Sequence, residues 1–167
     1  MDMIECSTRP LSPALSLTSP ALFSLLLVTS LITHASAQQE VVIDDNDPSI
    51  IYTPSDGWTE MDNPLDRGGS HMVTVDSRSV ATFTFTGVQV TFWAPLWPSE
   101  LSTSVSLDGG APIRISLQDP NSPVDDNAGE SVASAPLWTS PMLDNTQHTL
   151  VIGTWPGENV AVVDTLA

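Results

Sequence analysis

Residues 79–117 read SVATFTFTGVQVTFWAPLWPSELSTSVSLDGGAPIRISL, and they decide the fold. In Ala81-Thr82-Phe83-Thr84-Phe85 apolar side chains alternate with threonines, a period of two that sets Phe83 and Phe85 on one face of a strand. After Gly87 the alternation restarts in Val88, Val90 and Phe92. A second pair follows: Thr103–Leu107, then Asp108-Gly109-Gly110, then Ile113–Leu117. Asp-Gly between two alternating runs marks a hairpin, because a type I′ turn needs positive φ at both central residues. Trp93-Ala94-Pro95-Leu96-Trp97-Pro98 separates the two pairs, and its two prolines predict an aromatic loop rather than a continuing ladder. The stretch reads as half of an antiparallel β-sandwich.

The flanks agree. Short strands are predicted at 40–43, 50–53, 70–75, 132–138, 146–152 and 160–163, with Pro- and Gly-marked turns between them. Residues 59–69 read as a polar loop, and Gln118–Glu130 as the longest and most mobile one. Nine or ten strands at short spacing, with no helical pattern after residue 37, are the signature of an all-β sandwich or jelly roll.

Ala21–Ile32 is an apolar run of 12 residues followed by Ala35-Ser36-Ala37, which predicts a secretory signal peptide over 1–37, cut after Ala37. Its n-region is long and carries Arg9 against Asp2 and Glu5. The run is shorter than the roughly 20 residues that span a bilayer. Cleavage removes Cys6, the single cysteine, so the 38–167 domain is expected to hold together without a disulfide. It retains 18 acidic side chains against three arginines and has no lysine. That balance excludes a nucleic-acid phosphate binder and argues against docking on anionic lipid. No Asn-x-Ser/Thr sequon occurs.

TFTFTGVQVTFWAPLWP (82–98), SVSLDGGAP (104–112), APLWTSPMLDNTQHTLVIG (135–153) and AVVD (161–164) together resemble fungal secreted or membrane-anchored ectodomains with a galactose-binding-like jelly-roll β-sandwich. The resemblance covers roughly Val41 to Asp164. It implies a secreted or cell-surface location, in many members on a Ser/Thr-rich stalk before a membrane helix, and carries over no established activity. Such chains usually continue beyond the last V-V-D, so a truncated gene model or a stalkless form with a shortened last strand is expected here. Membrane attachment would require a C-terminal anchor beyond Ala167.

Three constellations bear on function. Trp58, Trp93, Trp97, Trp138 and Trp155 lie at predicted loops or strand ends, where a ring is either a lid over the core or a platform for a sugar. Trp58 and Trp97 are the predicted ligand-binding pair. Asp44, Asp45 and Asp47 follow the first strand and Asp164 ends the last, and terminal strands of a jelly roll are neighbours. These four are the predicted Ca²⁺ ligands, against the simpler alternative of Asx turns, and structural Ca²⁺ is the one candidate cofactor. For catalysis, His71 and His148 stand in no nucleophile elbow, and Ser70 and His71 point to opposite faces of a strand. His148, in phase with Leu150 and Ile152, reads as structural. Two separated histidines do not supply a Zn²⁺ site, and no carboxylate pair marks glycoside hydrolysis. The expectation is a non-catalytic extracellular module that recognises a carbohydrate or cell-wall polymer through its end loops. The alternative is a structural or sensor ectodomain without a sugar pocket.

Overall fold

A computed structural model describes residues 39–167. The predicted signal peptide, its cleavage site and Cys6 lie outside the described residues. Twelve strands run in order: β1 Ile43–Asp44, β2 Ile50–Thr53, β3 Thr59–Asp62, β4 Ser70–Thr74, β5 Val80–Gly87, β6 Thr91–Leu96, β7 Ser102–Leu107, β8 Ile113–Ser116, β9 Val132–Thr139, β10 Thr146–Gly153, β11 Ala161–Val163 and β12 Thr165–Leu166. One 3₁₀ turn, Ser55–Gly57, is the only helical element among the described residues. All strand pairs are antiparallel. The predicted all-β sandwich is the fold.

One sheet has the order β2-β5-β10-β7-β8. β1-β12-β6-β9 and β11-β4-β3 make up the rest, linked because β11 and β12 are separated only by Asp164. The core is the alternation made physical. Leu150 of β10 stands opposite Phe83 on one side and Leu107 on the other, and Leu150, Ile152, Val105, Val163, Phe92 and Leu166 are fully buried.

Four differences from the sequence reading have clear causes. β3 lies in the stretch read as loop: its four side chains are all exposed, so no alternation of apolar residues announces it. Val88 and Val90 precede β6 rather than form it. Conversely, β6 runs on through Pro95. The ladder to β9 shifts register between Ala94 and Leu96, so the residue without an N–H sits at a bulge where no donor is needed. Finally, both ends of the loop after β8 are pinned by one carboxylate: Asp119 accepts from the Asn121 N–H (2.9 Å), Ser122 Oγ (2.6 Å) and Ser131 Oγ (2.9 Å).

The Asp-Gly turn is left-handed at both central residues, with φ of +51° at Asp108 and +71° at Gly109, and Gly110 N–H donates to Leu107 C=O at 2.9 Å. The ladder between β7 and β8 nevertheless begins only at Val105 and Ile113, since Pro112 cannot extend it. Nothing lies within 4 Å of a Cβ built on Gly109. Gly109→Val is therefore expected to act through backbone strain alone and to cost about 1–2 kcal/mol. Denaturant midpoints check this, and a shift equivalent to less than about 0.5 kcal/mol would show that the dihedral carries no weight.

Candidate functional site

The β3–β4 hairpin builds the site. Met61 stands opposite His71, and Val73 opposite Val162 of β11, which puts all four on one face of the small sheet. Loop 63–69 turns back tightly because Gly68 and Gly69 take φ near +104° and +101°. Asn63 closes it: its side-chain Oδ1 accepts from Leu65 N–H at 2.9 Å, and its backbone N–H donates to Gly69 C=O at 2.9 Å. Three contacts then tie the loop to neighbouring strands. Ser134 N–H of β9 donates to Leu65 C=O (2.8 Å), Thr165 Oγ1 donates to Arg67 C=O (2.9 Å), and the Arg67 guanidinium sits 4.3 Å above the Trp93 ring.

This arrangement delivers Asp66 to His71. The Nδ1 of His71 lies 2.9 Å from Asp66 Oδ2 and 3.5 Å from Glu130 Oε1. Glu130 arrives from the far end of the loop that Asp119 pins. The three side chains are almost wholly buried, at 0%, 6% and 4% exposure for Asp66, His71 and Glu130. Asp66 Oδ1 and Glu130 Oε2 have no hydrogen-bond partner. Burial pushes the Asp66 carboxyl up to about 7, with Asp45 and Asp44 adding repulsion. Burial, then Asp66, raises Glu130. His71 is lowered because burial outweighs the attraction of Glu130, Asp164 and Asp45.

His71 and Glu130 open onto a cleft of about 280 Å³, walled by Met61, Val73, Leu101 and Val160 and closed by Trp97, with Asp62 and Asn63 at its rim. A larger cleft of about 560 Å³ lies between Phe83, Phe85, Val88 and Trp93, with Glu40 and Gln89 as polar wall groups.

Both predicted tryptophans are largely buried. Trp58 is 6% exposed and packs at 5.1 Å against Tyr52. Trp97 is 8% exposed and meets His71 edge-on at 5.6 Å. Both rings fill the core cluster, where their large apolar area is worth more than on the surface, so neither lies open as a platform. Of the two, Trp97 reaches the wall of the 280 Å³ cleft.

The predicted calcium quartet is also corrected. β1 does pair with β12, Asp44 opposite Thr165, so the terminal strands are neighbours. Asp45, fully buried, accepts from Ser70 Oγ at 3.0 Å. Asp164, also fully buried, accepts from Arg67 N–H at 3.3 Å and lies 3.0 Å from Thr165 Oγ1, whose one proton it shares with Arg67 C=O, and burial raises it to about 6. The Asp44 carboxylate lies so close to Gly68 that a Cβ there would sit 2.3 Å from Oδ2. Asp47 is turned away, accepting from Ser49 N–H (2.8 Å) and Oγ (2.6 Å) in an Asx turn. Asp45 Oδ1 and Asp164 thus hold hydrogen bonds, Asp45 Oδ2 is buried without a partner, and Asp47 is spent in a surface turn. Among the described residues, the three donors that come within 4.8 Å of one another are instead Asp66, His71 and Glu130. Asp66 and Glu130 escaped the sequence reading because both sit in polar loops where periodicity says nothing. His71 was read only as a strand residue facing away from Ser70 and standing in no catalytic motif.

Ser70 and His71 do serve different partners, Asp45 and Asp66. His148 bridges Asp108 Oδ2 (2.7 Å) and Asp144 C=O (2.8 Å), fastening the hairpin tip to β10.

No family model matches this chain, and neither does any curated protein. Solved structures share its fold. An exo-β-1,3-galactanase from Phanerochaete chrysosporium with β-1,3-galactotriose superposes with a TM-score of 0.54 at 16% identity, over 77% of this chain and 29% of that one. A cycloisomaltooligosaccharide glucanotransferase from Paenibacillus gives 0.52 at 14% identity, over 77% of this chain and 18% of that one. A GH26-CBM35 β-(1,4)-mannanase from Podospora anserina gives 0.50 at 17% identity, over 75% and 26%. The chain therefore spans less than a third of each of these proteins and is similar to them as a β-sandwich.

Proposed function

We propose that residues 38–167 form a secreted, non-catalytic carbohydrate-binding module, with the 280 Å³ cleft as its binding site. The observation that carries this reading is the make-up of the cleft: one aromatic ring, Trp97, and an apolar wall beside Asp62, Asn63, His71 and Glu130. Sugars bind where an apolar face and several fixed hydrogen-bonding groups converge. The fold-level likeness to domains of galactan- and mannan-degrading enzymes supports the class of ligand by analogy. Glycan-array screening of the purified protein, with β-1,3-galactan and β-1,4-mannan oligosaccharides included, is expected to give a hit. Asp62→Ala, at an exposed rim position, is then expected to weaken it by roughly fivefold or more, about the worth of one hydrogen bond, with an unchanged melting temperature.

One observation favours a second reading, a structural or sensor ectodomain that contacts proteins or wall matrix: Trp58 and Trp97 are both buried. An array without hits at millimolar sensitivity supports that reading and overturns the first.

A further inference from the structure

The Asp66–His71–Glu130 group is unlike any other set of side chains among the described residues. An imidazole nitrogen and two carboxylates, from a hairpin loop, a strand and a distant loop, bring their donor atoms within 4.8 Å of one another. Two of the carboxylate oxygens, Asp66 Oδ1 and Glu130 Oε2, are buried with no hydrogen-bond partner. Leaving such oxygens unpartnered in an apolar setting is costly, and a cation held by the two carboxylates offsets that cost whichever oxygen of each faces it. Arg67 does not: its guanidinium is placed over the Trp93 ring.

We propose that Asp66, His71 and Glu130 bind one divalent transition-metal ion, Zn²⁺ being the best match, at the inner end of the 280 Å³ cleft. The donor chemistry is selective. Imidazole with carboxylates suits Zn²⁺ and its first-row neighbours, whereas Ca²⁺ and Mg²⁺ take all-oxygen shells. The charges balance, since two carboxylates neutralise the dication. The geometry is close. With metal–ligand bonds of about 2.0–2.2 Å, tetrahedral donors lie about 3.3–3.5 Å apart, and His71 Nδ1 to Glu130 Oε1 is already 3.5 Å. The 2.9 Å between His71 Nδ1 and Asp66 Oδ2 is that of a shared proton. Ion entry displaces that proton and opens the pair by about half an ångström. Water from the cleft that His71 and Glu130 line completes the shell.

This inference does not rest on the carbohydrate reading. Calorimetric titration of the chelator-treated full chain with ZnCl₂ is expected to show one site and a raised melting temperature. CaCl₂ and MgCl₂ at the same concentration are expected to leave the melting temperature unchanged. Co²⁺ is expected to give visible d–d absorption that Zn²⁺ abolishes. Glu130→Gln and His71→Gln keep side-chain volume, and each is expected to weaken Zn²⁺ at least about tenfold and to remove the Co²⁺ spectrum. Asp47→Ala, in the surface turn, is expected to bind as the parent does. If His71→Gln fails to fold, the Co²⁺ spectrum and Zn²⁺ affinity of Glu130→Gln decide. Equal response to Ca²⁺ and Zn²⁺, or Zn²⁺ affinity unaffected by Glu130→Gln, would overturn the proposal and reassign any uptake to the acidic surface.

Discussion

Phe92→Ala is expected to lower the unfolding free energy by about 3–5 kcal/mol. Phe92 is the largest of the wholly buried side chains. It lies in β6 opposite Leu166 on one flank and Trp138 on the other. β12 is only two residues long and holds β1 in the sheet, so the surroundings have little freedom to collapse into the cavity. The next residue, Trp93, carries the Arg67 guanidinium on its ring. Loosening β6 therefore also loosens the loop that presents Asp66. Urea unfolding followed by tryptophan fluorescence measures the loss. A cost below about 1.5 kcal/mol would mean that the last strand repacks freely and that β6 does not anchor the site.

The melting temperature of the chelator-treated protein is expected to fall by about 5–10 °C between pH 4 and pH 7.5, equivalent to roughly 2 kcal/mol. Burial raises Asp66 to about 7 and Asp164 to about 6, and it also raises Asp45 and Glu130. In the unfolded chain these carboxyls ionise near pH 4. Between those values the folded state holds more protons than the unfolded one, so stability falls as pH rises. His148, raised by its bonds to Asp144 C=O and Asp108, contributes stability that is lost above about pH 6.5, in the same direction. His71 is lowered and opposes the trend below about pH 6.5, one group against five. Asp47, Asp76, Asp108 and Asp119 are held low by hydrogen bonds, so their contribution is complete above about pH 4 and vanishes only below it. Calorimetric scans at several pH values check the slope. A flat or rising profile would show that the buried acids are ionised in the folded protein.

The sequence by itself determined the sandwich. Phe83, Phe85, Val105, Leu107, Leu150 and Ile152 announce their strands because side chains two apart share a face, a rule that acts within a few residues. Asp108-Gly109 announces its turn because only a few residue types tolerate positive φ. Tertiary structure alone decided the site. Whether a loop tryptophan becomes a lid or a platform depends on the area it covers, and the core claimed both Trp58 and Trp97. Whether acids gather into one centre depends on loop closure. Asp47 spends its carboxylate on Ser49 two residues away, while Asp66 is carried to His71 by a glycine-hinged loop clamped to β6, β9 and β12. Glu130 reaches them only because Asp119 ties the ends of its loop together. Local periodicity is written in neighbouring residues, but the convergence of three polar side chains from distant segments is set by packing, and no spacing in the chain encodes it.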